Sequence, residues 1–387
     1  MFYKDDYSIV MRTFWPESPV VGEGLLRVCE EISSCSSVSV IMQDHIGIKR
    51  ALKDNNRGKR ILVSPVYSLS SSSSGMVVRV IDLVWFALAT FLSLFLRRPR
   101  VVYVATDPPL LVPFVVMIYC WLTKTKYVYH VQDIHPEATN IVLKLPKFLL
   151  CILSKIDSVV VSRAEIVITL TDEMVQSLKS RVSNLGEVKL ISNPAAPLPD
   201  TLDCWNKYDF SFVGNAGRLQ RIDLLIASIT EYLVDGGTAS FIFAGAGVKS
   251  SELTELAQQY PANVSYVGKV PVSQASQITQ SSKWAILPID DEVCRFAFPS
   301  KAATYALSNA TILVICGAET SVAQWVTVHQ LGVHVNPEVN ALVDFFNKSE
   351  EVLSTEREKV TASQDLKRIL SEDTFVSELS AVLTGLR

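Results

Sequence analysis

Two short stretches of this 387-residue chain bring together residue types that could do chemistry. In Tyr129-His130-Val131-Gln132-Asp133-Ile134-His135-Pro136-Glu137, two carboxylates and a histidine follow an apolar run that reads as a strand. Open α/β sheets bind ligands in the crevice outside the carboxyl ends of their strands. Asp133 or His135 there could orient or deprotonate a hydroxyl, with Glu137 capping the next helix. The plainer alternative makes Asp133 a helix cap and His135 a surface residue. In Phe212-Val213-Gly214-Asn215-Ala216-Gly217-Arg218-Leu219-Gln220-Arg221, glycines again follow a strand-like run. Glycines let a backbone approach a diphosphate, and Arg218 offers a fork of donors to neutralise it. Here the alternative is a solvated helix arginine.

The elements that must position these residues are legible as two series of short Val-, Ile- and aromatic-rich runs. Tyr7–Phe14, Ser37–Met42, Arg60–Val66, Val101–Ala105, Tyr127–Val131 and Ile166–Leu170 make the first. Asp209–Val213, Ser240–Ala244, Asn263–Val267, Trp284–Pro288 and Thr311–Ile315 make the second. Segments long enough for helices separate most of them, which argues for parallel, doubly wound sheets. The α/β reading is therefore two Rossmann-like domains in tandem, as the chain length also favours. Ser192-Asn193-Pro194-Ala195-Ala196-Pro197-Leu198-Pro199-Asp200 cannot extend a helix or a central strand and reads as the linker. Domains of 1–193 and 194–372 follow, with helical spacing over 373–387. A serine run from Ser70 to Gly75 reads as a mobile loop.

Composition narrows the class. Forty-nine per cent hydrophobic and 19% charged residues exclude a disordered chain. Residues 1–195 carry 22 basic and 17 acidic side chains, and residues 196–387 carry 14 and 22. A basic, apolar first half fits an anionic membrane surface, with ordinary charge scatter as the alternative. The seven cysteines show no paired metal-type spacing and read as buried hydrophobes in a reducing compartment. Acids in the first residues, with no apolar stretch after a basic one, give no expectation of a signal peptide. The two most apolar runs, Leu83–Leu96 and Pro108–Leu122, are each shorter than the roughly 20 residues of a spanning helix. Met76–Leu96 reads as an amphipathic helix ending at Arg97, Arg98 and Arg100, suited either to a membrane interface or to covering a sheet.

The stretch Cys294-Arg295-Phe296-Ala297-Phe298-Pro299-Ser300-Lys301-Ala302-Ala303-Thr304-Tyr305 resembles the Pro-Ser-Lys signature of family 4 glycosyltransferases, which have the GT-B fold. Ala105-Thr106-Asp107-Pro108-Pro109 and Asp133-Ile134-His135-Pro136-Glu137 resemble the corresponding loops of the subgroup that builds bacterial O-antigen, capsule and colanic acid. Nearly the whole chain follows the family pattern in order.

The resemblance implies a cleft between the domains, with donor and acceptor on opposite sides. Donor binding would fall to Gly214, Asn215, Gly217, Arg218, Gly245, Gly268, Lys269, Val270, Ser300, Lys301 and Thr304. The Pro-Ser-Lys helix start would face the diphosphate, with Lys301 adding charge. Acceptor binding would fall to Gly22, Gly24 and Glu137, and catalysis to Asp133 and His135. A last helix would cross back to the first domain. The sequence departs from the family at Phe296 and Thr304, where relatives carry glutamates, and at Asn309, which could supply a left-handed turn in place of glycine.

The function implied is transfer of a hexosyl or acetamidohexosyl group, with retention, from a UDP- or GDP-linked sugar to a lipid-linked or oligosaccharide acceptor. The enzyme would work at the inner face of the cytoplasmic membrane, with no metal, no other cofactor and no nucleic acid. A non-catalytic nucleotide-sugar-binding protein and a sugar-nucleotide 2-epimerase are the alternatives. A dehydrogenase is disfavoured because no full Gly-x-Gly-x-x-Gly with a following acid succeeds the first strand.

Overall fold

The apolar runs of the first half form a seven-stranded sheet of β1 (Tyr7–Val10), β2 (Val38–Asp44), β3 (Ile61–Tyr67), β4 (Val101–Ala105), β5 (Lys126–His130), β6 (Ile166–Thr169) and β7 (Glu187–Leu190). The computed structural model describes residues 5–70, 74–199, 207–354 and 362–387, except for the side chains of Arg218 and of residues 350–354. Every pairing is parallel and the order is β3-β2-β1-β4-β5-β6-β7, so the winding reverses between β1 and β4. β1, β4 and β6 are buried along their whole length, which explains their Val- and Ile-rich content without a charged residue. β7, Glu-Val-Lys-Leu, is an exposed edge strand without an apolar run, and the sequence reading missed it.

The second half repeats this plan in a six-stranded parallel sheet. Its strands are β8 (Tyr208–Val213), β9 (Phe241–Ala244), β10 (Val264–Tyr266), β11 (Ser282–Pro288), β12 (Thr311–Ile315) and β13 (Gly332–Val335), in the order β10-β9-β8-β11-β12-β13. β13 is the other strand missed, again at an edge. Phe210, Phe241 and Trp284 of this sheet pack with Tyr232 and Phe346 in edge-to-face and stacked pairs 5.0–6.5 Å apart.

The chain divides into two compact units, one of residues up to Asn193 with Glu372–Arg387 and one of Pro194–Ser371. The last helix, Glu372–Gly385, belongs to the first unit. Its Phe375, Val376, Leu379 and Leu383 join the core of Leu25, Val28 and Ile32. Of the expected Ser70–Gly75 loop, residues 71–73 lie outside the described residues, as do Asp200 at the end of the linker and Cys204.

The helix after that loop runs for 22 residues, Met76–Arg97, longer than the apolar run that announced it. By length and composition alone it could cross a membrane. It is nevertheless seated in the first unit, by buried Phe86, Ala87 and Leu94 and by a buried carboxylate. Asp82, fully buried, accepts hydrogen bonds from Arg12 Nη2 (2.9 Å), Gln43 Nε2 (2.8 Å), Leu69 N–H (2.8 Å) and Ser70 Oγ (2.6 Å). Burial alone would raise its pKa; the Ser70, Leu69 and Gln43 hydrogen bonds and the charge of Arg12 hold it below the usual carboxylate range.

Candidate functional site

In the second unit, Lys301 opens the helix Lys301–Leu307, and its side chain folds inward from there. Its Nζ has no hydrogen-bond partner among the described residues and sits 4.3 Å from the centroid of the Phe212 ring on β8. Burial lowers the pKa of this ammonium to about 8. The space it occupies exists because residue 214 is glycine: a Cβ there would lie 2.7 Å from Nζ, and the φ of +142° disfavours any side chain. A buried ammonium beside the carboxyl end of a strand, with no polar partner among the described residues, is placed where it could pair with an anion.

The glycine loops around it are knitted together. Gly214 N–H bonds Ala244 C=O (2.8 Å) and Gly245 N–H bonds Gly268 C=O (2.7 Å), while Tyr266 Oη donates to Gly245 C=O (2.9 Å). A Cβ on Gly245 would fall 1.8 Å from Gly214 O. Gly214 and Gly245 therefore act by lacking side chains. Their N–H groups, expected to meet a diphosphate, are already engaged within the unit. Gly268 has φ +67°, Lys269 is exposed, and Val270 packs against Ile242, Ala244 and Ile278. Asn215 and Ser300 are exposed, and Ser300 makes no side-chain cap bond. Gly217 precedes the 3-10 turn Arg218–Gln220; the Arg218 side chain itself lies outside the described residues.

Thr304 is committed elsewhere. Its Oγ1 accepts the Ala196 N–H at 2.9 Å, so the position where relatives place a ribose-binding carboxylate here holds the start of the second unit. Thr304→Val is expected to cost about 1–2 kcal/mol by orphaning that amide, read as a lower melting temperature with nucleotide affinity unchanged. Next to it, Tyr305 Oη bonds both N–H and C=O of Val213 at 3.1 Å and so anchors the helix to β8. Asn309 is not left-handed; the chain leaves the helix at Ser308 in an extended conformation. Arg221, in contrast, is left-handed (φ +45°) and pairs with Asp291 at 2.9 Å. Phe296 is half-buried, its N–H bonded to Val293 C=O.

In the first unit, Asp133 lies beyond the carboxyl end of β5. Burial, and then the charge of Asp107, raise its pKa to about 6. His135 is held neutral, with its pKa lowered to about 4 by burial and by Arg181, and its Nδ1 is 2.8 Å from Thr139 Oγ1. That makes His135 a poor base near neutrality. Glu137 does not cap the helix: Pro136 holds the cap position, and both Glu137 oxygens accept from Arg181 Nη1 (3.0 and 2.8 Å). Arg181 also pairs with Asp157. This network of ion pairs braces the loop from beneath.

Gly22 and Gly24 also depart from the sequence reading. Expected at the acceptor, both lie inside the helix Val21–Ile32. A Cβ on Gly24 would meet the Phe375 ring at 2.7 Å, and one on Gly22 would meet Ser18 Cβ at 2.8 Å. Close packing of the last helix and of the preceding turn explains them. What sequence reasoning missed is a polar cavity of about 850 Å³ at the carboxyl ends of β1, β2, β3 and β4, lined by Arg12, Thr13, Glu17, Asp44, Tyr67 and Asp107 among others. It sits where the strand order reverses, the usual place for a ligand in such sheets. Thr13 N–H donates to Asp107 Oδ2 at 2.8 Å, which ties its two walls together. The signal available was Asp107, whose motif had been noted without a role.

Similarity to known proteins fits this geometry. The chain aligns end to end with sucrose-phosphate synthase from Thermosynechococcus elongatus (TM-score 0.67, 12% identity, 99% of each chain). The fold is GT-B. HepE from Anabaena, solved in complex with UDP, matches with TM-score 0.63 at 13% identity over 98% of this chain and 100% of its own. The lipopolysaccharide outer core galactosyltransferase WaaB matches with TM-score 0.59 at 12% identity over 98% and 99%. In sequence, the chain is 27% identical over 245 residues to the probable glycosyltransferase WbjE of Pseudomonas aeruginosa. That alignment spans 58% of this chain and 60% of WbjE. No family model matches the chain.

Proposed function

We propose that this GT-B protein is a glycosyltransferase that moves a sugar from a nucleoside-diphosphate donor to a lipid-linked or oligosaccharide acceptor in bacterial surface-polysaccharide synthesis. The observation that carries the reading is Lys301, an unpartnered buried ammonium walled by Gly214 and Phe212. The diphosphate leaving group of a UDP- or GDP-sugar would pair with this ammonium, and Lys301 stabilises the charge that develops on it as the glycosidic bond breaks. The likeness to the probable glycosyltransferase WbjE supports sugar transfer, and the resemblance of the Thr106–Pro109 and Asp133–Glu137 loops points to polysaccharide assembly. Retention of configuration and transfer of a hexosyl or acetamidohexosyl group belong to the same reading, through the Pro-Ser-Lys resemblance.

The acceptor takes the polar cavity beside Asp107, and Asp133 is the carboxyl that orients or deprotonates its hydroxyl. Peripheral attachment to the inner face of the cytoplasmic membrane completes the proposal, motivated by the exposed apolar face of Met76–Arg97, which includes Val77, Val84, Leu88 and Leu92.

Thermal unfolding with UDP, GDP, dTDP and CMP tests the donor site. A nucleotide at a hundred times its Kd adds about 2.7 kcal/mol to stability. No shift with any of them, in the wild type, removes the reading. The committed Thr304 hydroxyl favours a second one, a protein that binds nucleotide sugar without turning it over. A stabilising nucleotide combined with no release of nucleoside diphosphate, across lipid and oligosaccharide acceptors, would select it.

Asp133 carries a pH signature. Its folded pKa of about 6 exceeds the free value of 3.8, so the native state keeps a proton that the unfolded chain releases in between. Its penalty is complete above pH 6 and is relieved as pH falls toward 4. Asp133→Asn is expected to raise stability at pH 7 by up to about 3 kcal/mol, to flatten the pH dependence between those values, and to lower turnover. Unchanged turnover removes Asp133 from catalysis.

A further inference from the structure

A second cavity in the first unit, of about 620 Å³, opens at the amino ends of β4 and β5, the opposite edge of the sheet from the polar cavity. Arg98, Arg100 and Lys124 line it together with Thr123 and Thr125, and no carboxylate among the described residues does. Arg100 has a carboxylate neighbour in Asp6, with Nε 3.5 Å away, outside the lining. A cavity lined by three cations and hydroxyls, with no acid, is complementary to a phosphate.

Two features separate this from ordinary helix-end charge. Arg98 and Lys124 follow the last turns of Met76–Arg97 and Leu111–Thr123 in the left-handed region, at φ +50° and +57°. Glycine is the unstrained choice at such a position. A cation within the last turn answers the helix dipole on regular backbone, as Arg97 already does. Both left-handed sites are instead filled by cations that line the same cavity.

The rim adds the second feature. Leu92, Phe95 and Leu96 from one helix, and Trp121 and Leu122 from the other, are each at least half exposed. The Arg163 guanidinium lies 5.8 Å from the Trp121 ring centroid. Phe95 lines the hollow itself, and exposed apolar residues near the ends of the same two helices, beside its cations, match the boundary of a leaflet, where acyl chains meet phosphates.

We propose that this cavity binds the phosphate of an anionic phospholipid while its apolar rim enters the same leaflet. The inference rests on the peripheral-membrane reading above and gives that reading a specific headgroup site.

Vesicle co-sedimentation tests it, with phosphatidylcholine alone and with phosphatidylcholine mixed with phosphatidylglycerol. Arg98→Gly with Lys124→Gly is the informative double variant, because glycine relieves the left-handed backbone and leaves the fold intact. Wild type should prefer the anionic vesicles, and the variant should lose about thirtyfold in affinity for them, roughly fivefold per cation. It should keep its weaker binding to phosphatidylcholine and melt no lower than wild type. A variant that binds anionic vesicles as tightly as wild type overturns the headgroup site and leaves membrane attachment standing. Wild type that binds neither vesicle overturns both. If millimolar inorganic phosphate stabilises wild type but not the variant, and phosphatidylglycerol adds nothing over phosphatidylcholine, the cavity is a free-anion site and the lipid assignment fails.

Discussion

Lys301→Met is expected to make the ligand-free protein more stable and the enzyme slower by tenfold to several hundredfold. Both effects come from the same buried ammonium, which the proposed diphosphate would neutralise. The folded pKa of about 8, against a free value of 10.5, corresponds to roughly 3 kcal/mol of cost for holding the ammonium inside at neutral pH. Methionine has similar length and keeps contact with the Phe212 ring, so the variant removes the charge without opening a cavity. A gain of about 1–3 kcal/mol in unfolding free energy is expected at pH 7, with the cation–π contact accounting for the shortfall. The pH dependence has a definite sign. The unfolded chain holds the lysine proton to higher pH than the native state, so wild-type stability rises between about pH 8 and 10.5. That rise should vanish in the variant. Turnover falls because a charge-assisted contact of about 1.5–3 kcal/mol to the diphosphate is lost. Denaturant titrations at pH 7 and pH 10, with turnover measured on the same preparation, separate the outcomes. A variant that is destabilised with normal turnover would make Lys301 a structural residue.

The sequence showed more of the fold than of the site, for a physical reason. Strands covered on both faces must be apolar throughout, and β4, β6 and β12 could be read directly from Val101–Ala105, Ile166–Thr169 and Thr311–Ile315. Edge strands answer to no such demand, and β7 and β13 escaped notice. In the candidate site, Lys301 and Asp133 could be singled out because the Pro-Ser-Lys and Asp-x-x-Pro-Glu motifs that hold them are contiguous in sequence. Gly24 and Glu137 were misplaced because their partners, Phe375 and Arg181, are 351 and 44 positions away in the sequence. A glycine that makes room for a distant ring leaves the same trace as one that makes room for a ligand. The polar cavity beside Asp107 draws its walls from segments as far apart as Arg12, Asp44, Tyr67 and Asp107, which only the pairing of β1 with both β2 and β4 brings together.

Gly245→Ala is expected to disable donor binding through the backbone without removing any group that could touch the nucleotide. The residue has φ +135°, a region costly for any side chain, and its Cβ would lie 1.8 Å from the carbonyl oxygen of Gly214. Neither atom can swing aside as a side-chain tip would, because both belong to strand-end loops held by hydrogen bonds to Ala244 and Gly268. Separation of the two loops is the available relief, and it opens the wall that Gly214 forms against Lys301. Strain and overpacking together suggest a loss of about 3–5 kcal/mol. For a unit of this size that is a fall of about 6–20 °C in melting temperature. Gly236→Ala supplies the comparison: it too has positive φ (+93°), but its Cβ would meet nothing within 4 Å. It should therefore cost only the backbone term, about 1–2 kcal/mol, and leave nucleotide binding intact. If the two alanine variants melt alike and bind nucleotide alike, the close approach of the Gly214 and Gly245 loops does not shape the donor site.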